Sequence, residues 1–370
     1  MVRALLFLTL AQSGAVWVRF TPAASFLQAE NAGRQIHPES PQDISLLERD
    51  ADAGDPAAQF ALGRAYQTGT GVAQNDTVAV TWFAKSAEHG YAEAENALGV
   101  MYLTGRGVDR DKPKAIEWYR KAALQKNAKA MFNLGTAYYN GDGVAVNDAE
   151  AYAWFLLAQE QGSEPAAEAV KRQKAEISET QSLEGLIRVA EMWRKGDGVP
   201  RNDGEAVGWY RKAADLGSPY ASVHLAEMLM NGTGTGKDFG EALRRCKSAS
   251  DGGYSAGAFC VGWLYNNGMG VQKNPAEAAK WFARAAEMGH ERALYLLAQM
   301  YCKGEGVPVD KATGYMWMLL AAQSGDPKAV ADQRQLKTEL DDKELKKAEK
   351  RAKEWFNRYR DNGPIAVKHR

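Results

Sequence analysis

The sequence predicts an all-α protein: a right-handed α/α superhelix, or solenoid, of seven helix-turn-helix repeats with a C-terminal capping helix. Two observations predict it. Seven Gly-x-Gly turns occur, with first glycines at Gly69, Gly105, Gly141, Gly196, Gly232, Gly268 and Gly304, and five of the six intervals between them are 36 residues. Every copy also carries the same apolar positions at helical spacing. A fixed period of this length marks an array in which each unit buries its apolar faces only against its neighbours.

The 370 residues are 45% hydrophobic and 25% charged, a composition that supports a large core. Lys plus Arg and Asp plus Glu both total 46, so there is no basic field to draw the chain to nucleic acid. Residues 1–30 are expected to form a signal peptide and leader. Arg3 is followed by an uncharged apolar stretch from Ala4 to Val18, with cleavage expected after Ala15 or near Ala24. That stretch is shorter than the roughly 20 residues a helix needs to cross a bilayer, and no later segment is apolar enough to span. The chain is therefore expected to be periplasmic or secreted, or cytoplasmic if the segment is not a signal.

Residues 42–162 are expected to hold a preceding half unit and repeats one to three. Ile44 to Ala53 resembles a lone second helix. In each full unit an apolar residue (Leu62, Leu98, Leu134, Val189, Leu225, Val261, Leu297) is followed four residues later by Tyr66, Tyr102, Tyr138, Trp193, Leu229, Tyr265 or Tyr301. This marks one face of a first helix. A small residue between them, such as Gly63, Gly99 or Ala226, permits close approach of the next helix. Six residues after the turn glycine comes Asn75, Asp111, Asn147, Asn202, Asp238, Asn274 or Asp310, each expected to N-cap the second helix. Pro275 suits the first helical position. Trp82, Trp118, Trp154, Trp209, Trp281 and Trp317 are read as the anchors of the second helices. These helices are expected to end at a glycine in the left-handed conformation, Lys126 being the exception.

The one long interval, 55 residues, places a nineteen-residue insertion between units three and four, at 163–181, where a bend or a continuous superhelix are the alternatives. Ser178 and Gln181 fit a capping box there. Repeats four to seven occupy 182–325, and capping helices 326–361. Thr338 to Arg360 reads as an amphipathic helix that begins acidic and becomes basic, an order that suits the helix dipole. The fifth unit departs most from the pattern, with Arg245 in place of the Trp, Cys246 in place of the next aromatic, and Thr235 in place of the turn valine. It is expected to be the weak link of the array.

Searches for chemistry return little. His37, His89, His224, His290 and His369 are scattered and form no local ligand pair. Gly232 to Lys237 superficially matches a phosphate loop, but Asn231 stands where glycine is needed and Asp238 follows the lysine. Cys246, Cys260 and Cys302 form no CxxC pair and are too scattered for a disulfide scaffold, so they are read as small core residues. No catalytic residue, metal or cofactor is predicted. Asn75 and Asn231 begin formal glycosylation sequons, meaningful only in a eukaryotic secretory pathway.

The run Ala94, Leu98, Gly99, Tyr102, Gly105-Arg106-Gly107-Val108, Ala115, Trp118-Tyr119 and Ala122-Ala123 resembles the Sel-one-like repeat family, relatives of the tetratricopeptide repeats. The resemblance extends over about residues 42–360. It implies a curved superhelix and a role as scaffold or adaptor for a protein or peptide partner, in bacteria often exported, in envelope signalling, polysaccharide secretion or host encounters. It also implies that ligands bind the concave surface, lined by the first helix of each pair. Candidate contact residues there are Arg64, Tyr139, Asn140, Arg194, Tyr220, Glu227, Met230, Asn231, Trp263, Asn266 and Gln299. Trp263 is the candidate anchor, since Trp, Tyr and Arg dominate interface energetics; packing against a neighbouring turn is the alternative. The competing functional readings are a cell-envelope hydrolase acting on cell-wall or sugar substrates through carboxylates of neighbouring units, and an endoplasmic-reticulum degradation adaptor.

Overall fold

The computed structural model describes residues 41–362 apart from Ser324 and Asp326. The expected leader with its Ala15 and Ala24 cleavage points, and His37 and His369, lie outside the described residues. Among the described residues there are eighteen helices and no strand. The chain divides into two compact units, one ending at Glu176 and the other beginning at Ile177.

In the first unit the order is α1 (Pro41–Asp52), α2 (Pro56–Thr68), α3 (Asp76–Glu88), α4 (Ala92–Thr104), α5 (Lys112–Leu124), α6 (Ala128–Asn140), α7 (Asp148–Glu160) and α8 (Glu164–Glu176). The second unit holds α9 (Glu179–Lys195), α10 (Asp203–Asp215), α11 (Pro219–Asn231), α12 (Phe239–Asp251), α13 (Ser255–Asn267), α14 (Pro275–Glu287), α15 (Glu291–Lys303), α16 (Lys311–Ala322), α17 (Pro327–Lys337) and α18 (Asp342–Asn362). Within each unit the helices up to α16 pack on their sequence neighbours, so successive hairpins stack side by side as an α/α solenoid. Ile44, Leu47 and Ala51 of the half unit α1 are buried against α2.

Local chemistry sets the helix boundaries. All seven predicted Asn and Asp caps accept a backbone N–H from the first turn of the second helix, from Asn75 to Val78 through Asp310 to Thr313. Pro275 occupies the first turn of α14. Ser178 and Gln181 form the reciprocal capping box at the start of α9, and α8 fills most of the expected insertion. Lys126 is the one described non-glycine residue with positive φ, 61°, and so adopts the conformation its neighbours in register reserve for glycine. The apparent phosphate loop is an ordinary hairpin turn: Gly232 caps α11 and Asp238 caps α12.

The seams between hairpins depend on close approach. Gly107, at φ 66°, lies so near the Asp76 carbonyl that any Cβ would overlap it, and Gly234 stands likewise on Asp203. The Arg106 guanidinium then grips Asp76 with two hydrogen bonds of 3.0 and 2.9 Å, tying the turn of one repeat to the second helix of the repeat before. Lys112 and Asp142 make the corresponding contact one repeat on, at 2.8 Å.

The core anchors differ from the expectation. Phe83, Tyr119, Tyr210 and Phe282, each directly after a tryptophan, are wholly or almost wholly buried, and the rings of Phe83, Tyr119 and Phe282 occupy the space a Cβ would need at Gly63, Gly99 and Gly262 of the paired first helix. Trp154, Trp209 and Trp317 are buried, but Trp82, Trp118 and Trp281 are only half-buried. Lys85, Lys121 and Lys212 stand 3.5–3.9 Å above the rings of Trp82, Trp118 and Trp209, one helical turn away, shielding them with cation–π contacts. Adjacent helical positions point about 100° apart, so only one of two neighbouring aromatics can reach the glycine notch.

The fifth repeat brings a second correction. Cys246 and Cys260 are buried as expected, yet they are bonded to each other as a disulfide between α12 and α13. Arg245, in the tryptophan position, pairs with Asp215 at 2.6 Å and with Glu241 at 3.2 Å, and Arg211 holds the same Glu241 at 2.9 Å. A covalent bond and an ion-pair network therefore occupy the seam that was expected to be weakest. Cys302 is the free cysteine, half-buried.

At the C-terminus α17 and α18 both pack on α16. The capping helix starts at Asp342, later than expected, because Asp341 and Glu344 cap its N-terminus reciprocally. Trp355 meets Trp317 edge-on at 6.2 Å and stacks on Tyr359 at 4.9 Å.

Candidate partner-binding groove

Three first helices of the second unit, α11, α13 and α15, border a cavity of about 910 Å³. Its volume is in the range of sites that hold a small molecule or several side chains of a peptide. Close contact between α11 and α13 forms one wall, and α15 with its preceding turn the other.

The floor is aromatic. Phe259 rests on the core residue Phe282 at 5.7 Å, stacks on His290 at 4.4 Å with ring planes 12° apart, and stands beside Trp263 at 6.3 Å with planes 28° apart. Trp263 remains 42% exposed and lines the cavity. His290 serves two ends. Its Nδ1 caps α15 by accepting the Ala293 N–H, and burial, with a smaller contribution from Arg292, lowers its pKa to about 4. The imidazole is consequently neutral near pH 7 and acts as part of the apolar platform.

Polar groups ring this floor. Glu227 comes from α11, where it also contacts His224 at 2.9 Å, and Glu291 and Arg292 come from the first turn of α15. The Tyr295 hydroxyl donates to Asp332 and accepts from Gln299, both at 2.7 Å. An apolar face edged by carboxylates and one guanidinium can hold an apolar side chain while pairing with the backbone or charges beside it.

The structure gathers some of the predicted contact residues and separates others. Trp263, Glu227 and Met230 line the groove, and Gln299 stands behind Tyr295. Tyr220 and Arg194 belong to a neighbouring cluster of the second unit, where Tyr220 donates to Glu191 at 2.8 Å and meets His224 edge-on at 4.3 Å. Desolvation and the hydrogen bond to Glu191 both raise the Tyr220 pKa, so it stays a donor. Asn231 is exposed and Asn266 half-buried, and neither lines the groove. Arg64, Tyr139 and Asn140 lie in the first unit: burial lowers the Arg64 pKa, Tyr139 donates to Glu176 at 3.0 Å, and Asn140 ends α6 exposed. Phe259, His290, Tyr295 and Arg292 were missed. Phe259 was findable, since it precedes Trp263 by four residues on one helix face. Among the described residues no group of three or more His, Cys, Asp or Glu is placed to hold a metal ion.

The Sel1 repeat model matches seven consecutive segments: residues 56–91, 92–127, 128–163, 183–218, 219–254, 255–290 and 291–326. Among solved structures, the chain is similar to c5321, described as a protective antigen present in uropathogenic Escherichia coli strains displaying an SLR fold. Identity is 32% over 86% of this chain and 63% of that one, with a TM-score of 0.45. This chain thus spans less than two thirds of that protein. A Sel1 repeat protein from Oxalobacter formigenes is 29% identical over 80% of each chain, with a TM-score of 0.40. No curated protein sequence matches. Sel1 repeat proteins are typically protein-interaction scaffolds, and with seven segments covering well over half its length, this chain belongs to the Sel1 repeat family.

Proposed function

We propose that this chain is an exported, non-catalytic scaffold that grips a protein or peptide in the groove between α11, α13 and α15. The observation that carries the reading is Trp263: a large aromatic left exposed beside a preformed Phe259–His290 stack, in a cavity that the repeat packing does not need. Exposed aromatics in a concave site are the usual anchors of binding energy, and a rigid floor lowers the ordering cost of association. Glu227, Glu291 and Arg292 at the edge would set ligand orientation. The apolar N-terminal segment supports export to the periplasm or beyond the cell.

The test is selection of peptides from a random library on the intact chain, followed by calorimetry. Trp263→Ala should weaken the selected peptides at least tenfold, while Leu216→Ala, an exposed apolar side chain outside the groove, should leave them unchanged. Equal affinity for both variants would remove the groove from the account. Export is checked separately by sequencing the N-terminus of the mature protein.

A further inference from the structure

The seam between the fifth and sixth repeats differs in chemistry from the seam before it. Tyr210 of α10 meets His224 of α11 with ring centroids 5.5 Å apart. Thirty-six residues later the same two positions hold Cys246 of α12 and Cys260 of α13, joined by a disulfide. Cys246 has no accessible surface and Cys260 has 6%. Two thiols supply far less contact than a tyrosine and an imidazole. The fifth repeat also lacks the tryptophan, so both aromatics that brace other hairpins are missing at once.

Position links this bond to the groove. Cys260 is itself a lining residue, directly beside Phe259, whose ring carries the His290 and Trp263 contacts. The bond closes a 14-residue separation across the α12–α13 turn, and so limits how far α13 can move from α12.

We propose that the Cys246–Cys260 disulfide is a redox-dependent staple that replaces the missing inter-repeat aromatic contact, holding α13 as the groove wall when oxidised and releasing it when reduced. In its formation the two thiols give up two electrons and two protons to a disulfide of the thiol–disulfide oxidoreductase class. The exchange passes through a mixed disulfide, and the carrier leaves as its dithiol. A dithiol reductant runs the same exchange backwards. The consequence for ligand binding rests on the groove reading above, but the staple itself is read without any ligand, so the two ideas fail separately.

Hydrogen exchange of the intact chain, with and without a phosphine reductant and with alkylation to count free thiols, tests the staple. Reduction should speed amide exchange in α12 and α13 on the order of a hundredfold, with α6 and α7 of the first unit unchanged. Cys302→Ser should behave as the native chain does. The double variant Cys246→Tyr, Cys260→His copies the Tyr210–His224 contact, and its α12–α13 protection should not respond to reductant. Unchanged protection in the reduced native chain would overturn the proposal. So would equal loss in the Tyr/His variant, or alkylation of both thiols in folded chain that never met a reductant.

Discussion

The second and fifth repeats fill the same position in opposite ways. In the second, Tyr119 lies over Gly99 and Trp118 stands half-buried under the Lys121 ammonium. In the fifth, Cys246 reaches across to Cys260, while Arg245 replaces the tryptophan and joins Asp215 and Glu241. The first arrangement derives its strength from apolar contact area and needs no particular environment. The second relies on a covalent bond and on charge, so its strength depends on redox conditions, salt and pH. A repeat can thus lose its aromatic signature and keep its place in the stack, provided another interaction spans the same two helices.

The largest expected effect lies in the aromatic repeats. Tyr119→Ala or Phe282→Ala should each cost about 3–5 kcal/mol, because a fully buried ring is removed from a notch shaped to it. Trp118→Ala should cost less, about 1–2 kcal/mol, since part of its surface is already wet and its cation–π partner contributes little. Paired denaturant melts of the two variants check this ordering; equal losses would restore the tryptophans as the anchors.

Smaller effects should appear where charge does the holding. Arg245→Ala should lower stability by about 0.5–1 kcal/mol, an amount that shrinks in high salt, because Glu241 keeps its bond to Arg211. Melts at low and high ionic strength would show this. Smallest is a change of slope. His290 is half-buried and neutral, its pKa depressed from 6.5 to about 4, so between those values the unfolded chain binds a proton that the folded chain does not. Its contribution is complete above pH 6.5 and declines as pH falls toward 4. His290→Asn retains an N-cap residue and should flatten stability over that window, as read from melts at a series of pH values; an unaltered slope would show that other groups dominate.

Much of this architecture could be read from the residues. The period, the seven Asn and Asp caps, the glycine notches and the capping box at Ser178 follow from local rules that act within one hairpin. What escaped was set across helices. Trp118 and Tyr119 are adjacent and both apolar, so periodicity does not tell which one meets Gly99. Cys246 and Cys260 read as scattered because their pairing is created by the stacking of two hairpins and by no motif in the chain. Trp263 was visible as an anomaly among the first helices, but its floor was not. His290 precedes a different helix, and the Phe259–His290 stack exists only once the turn before α15 is brought against α13.

The central claim is that the second unit holds its ligand on that aromatic floor. Hydrogen-exchange footprinting of the intact chain bound to its tightest selected peptide tests this most directly. Slowed exchange along α13 around Phe259 and Trp263, and in the first turn of α15 that His290 caps, is the predicted result. Protection confined to the second helices α12 and α14, or to the first unit, would contradict it.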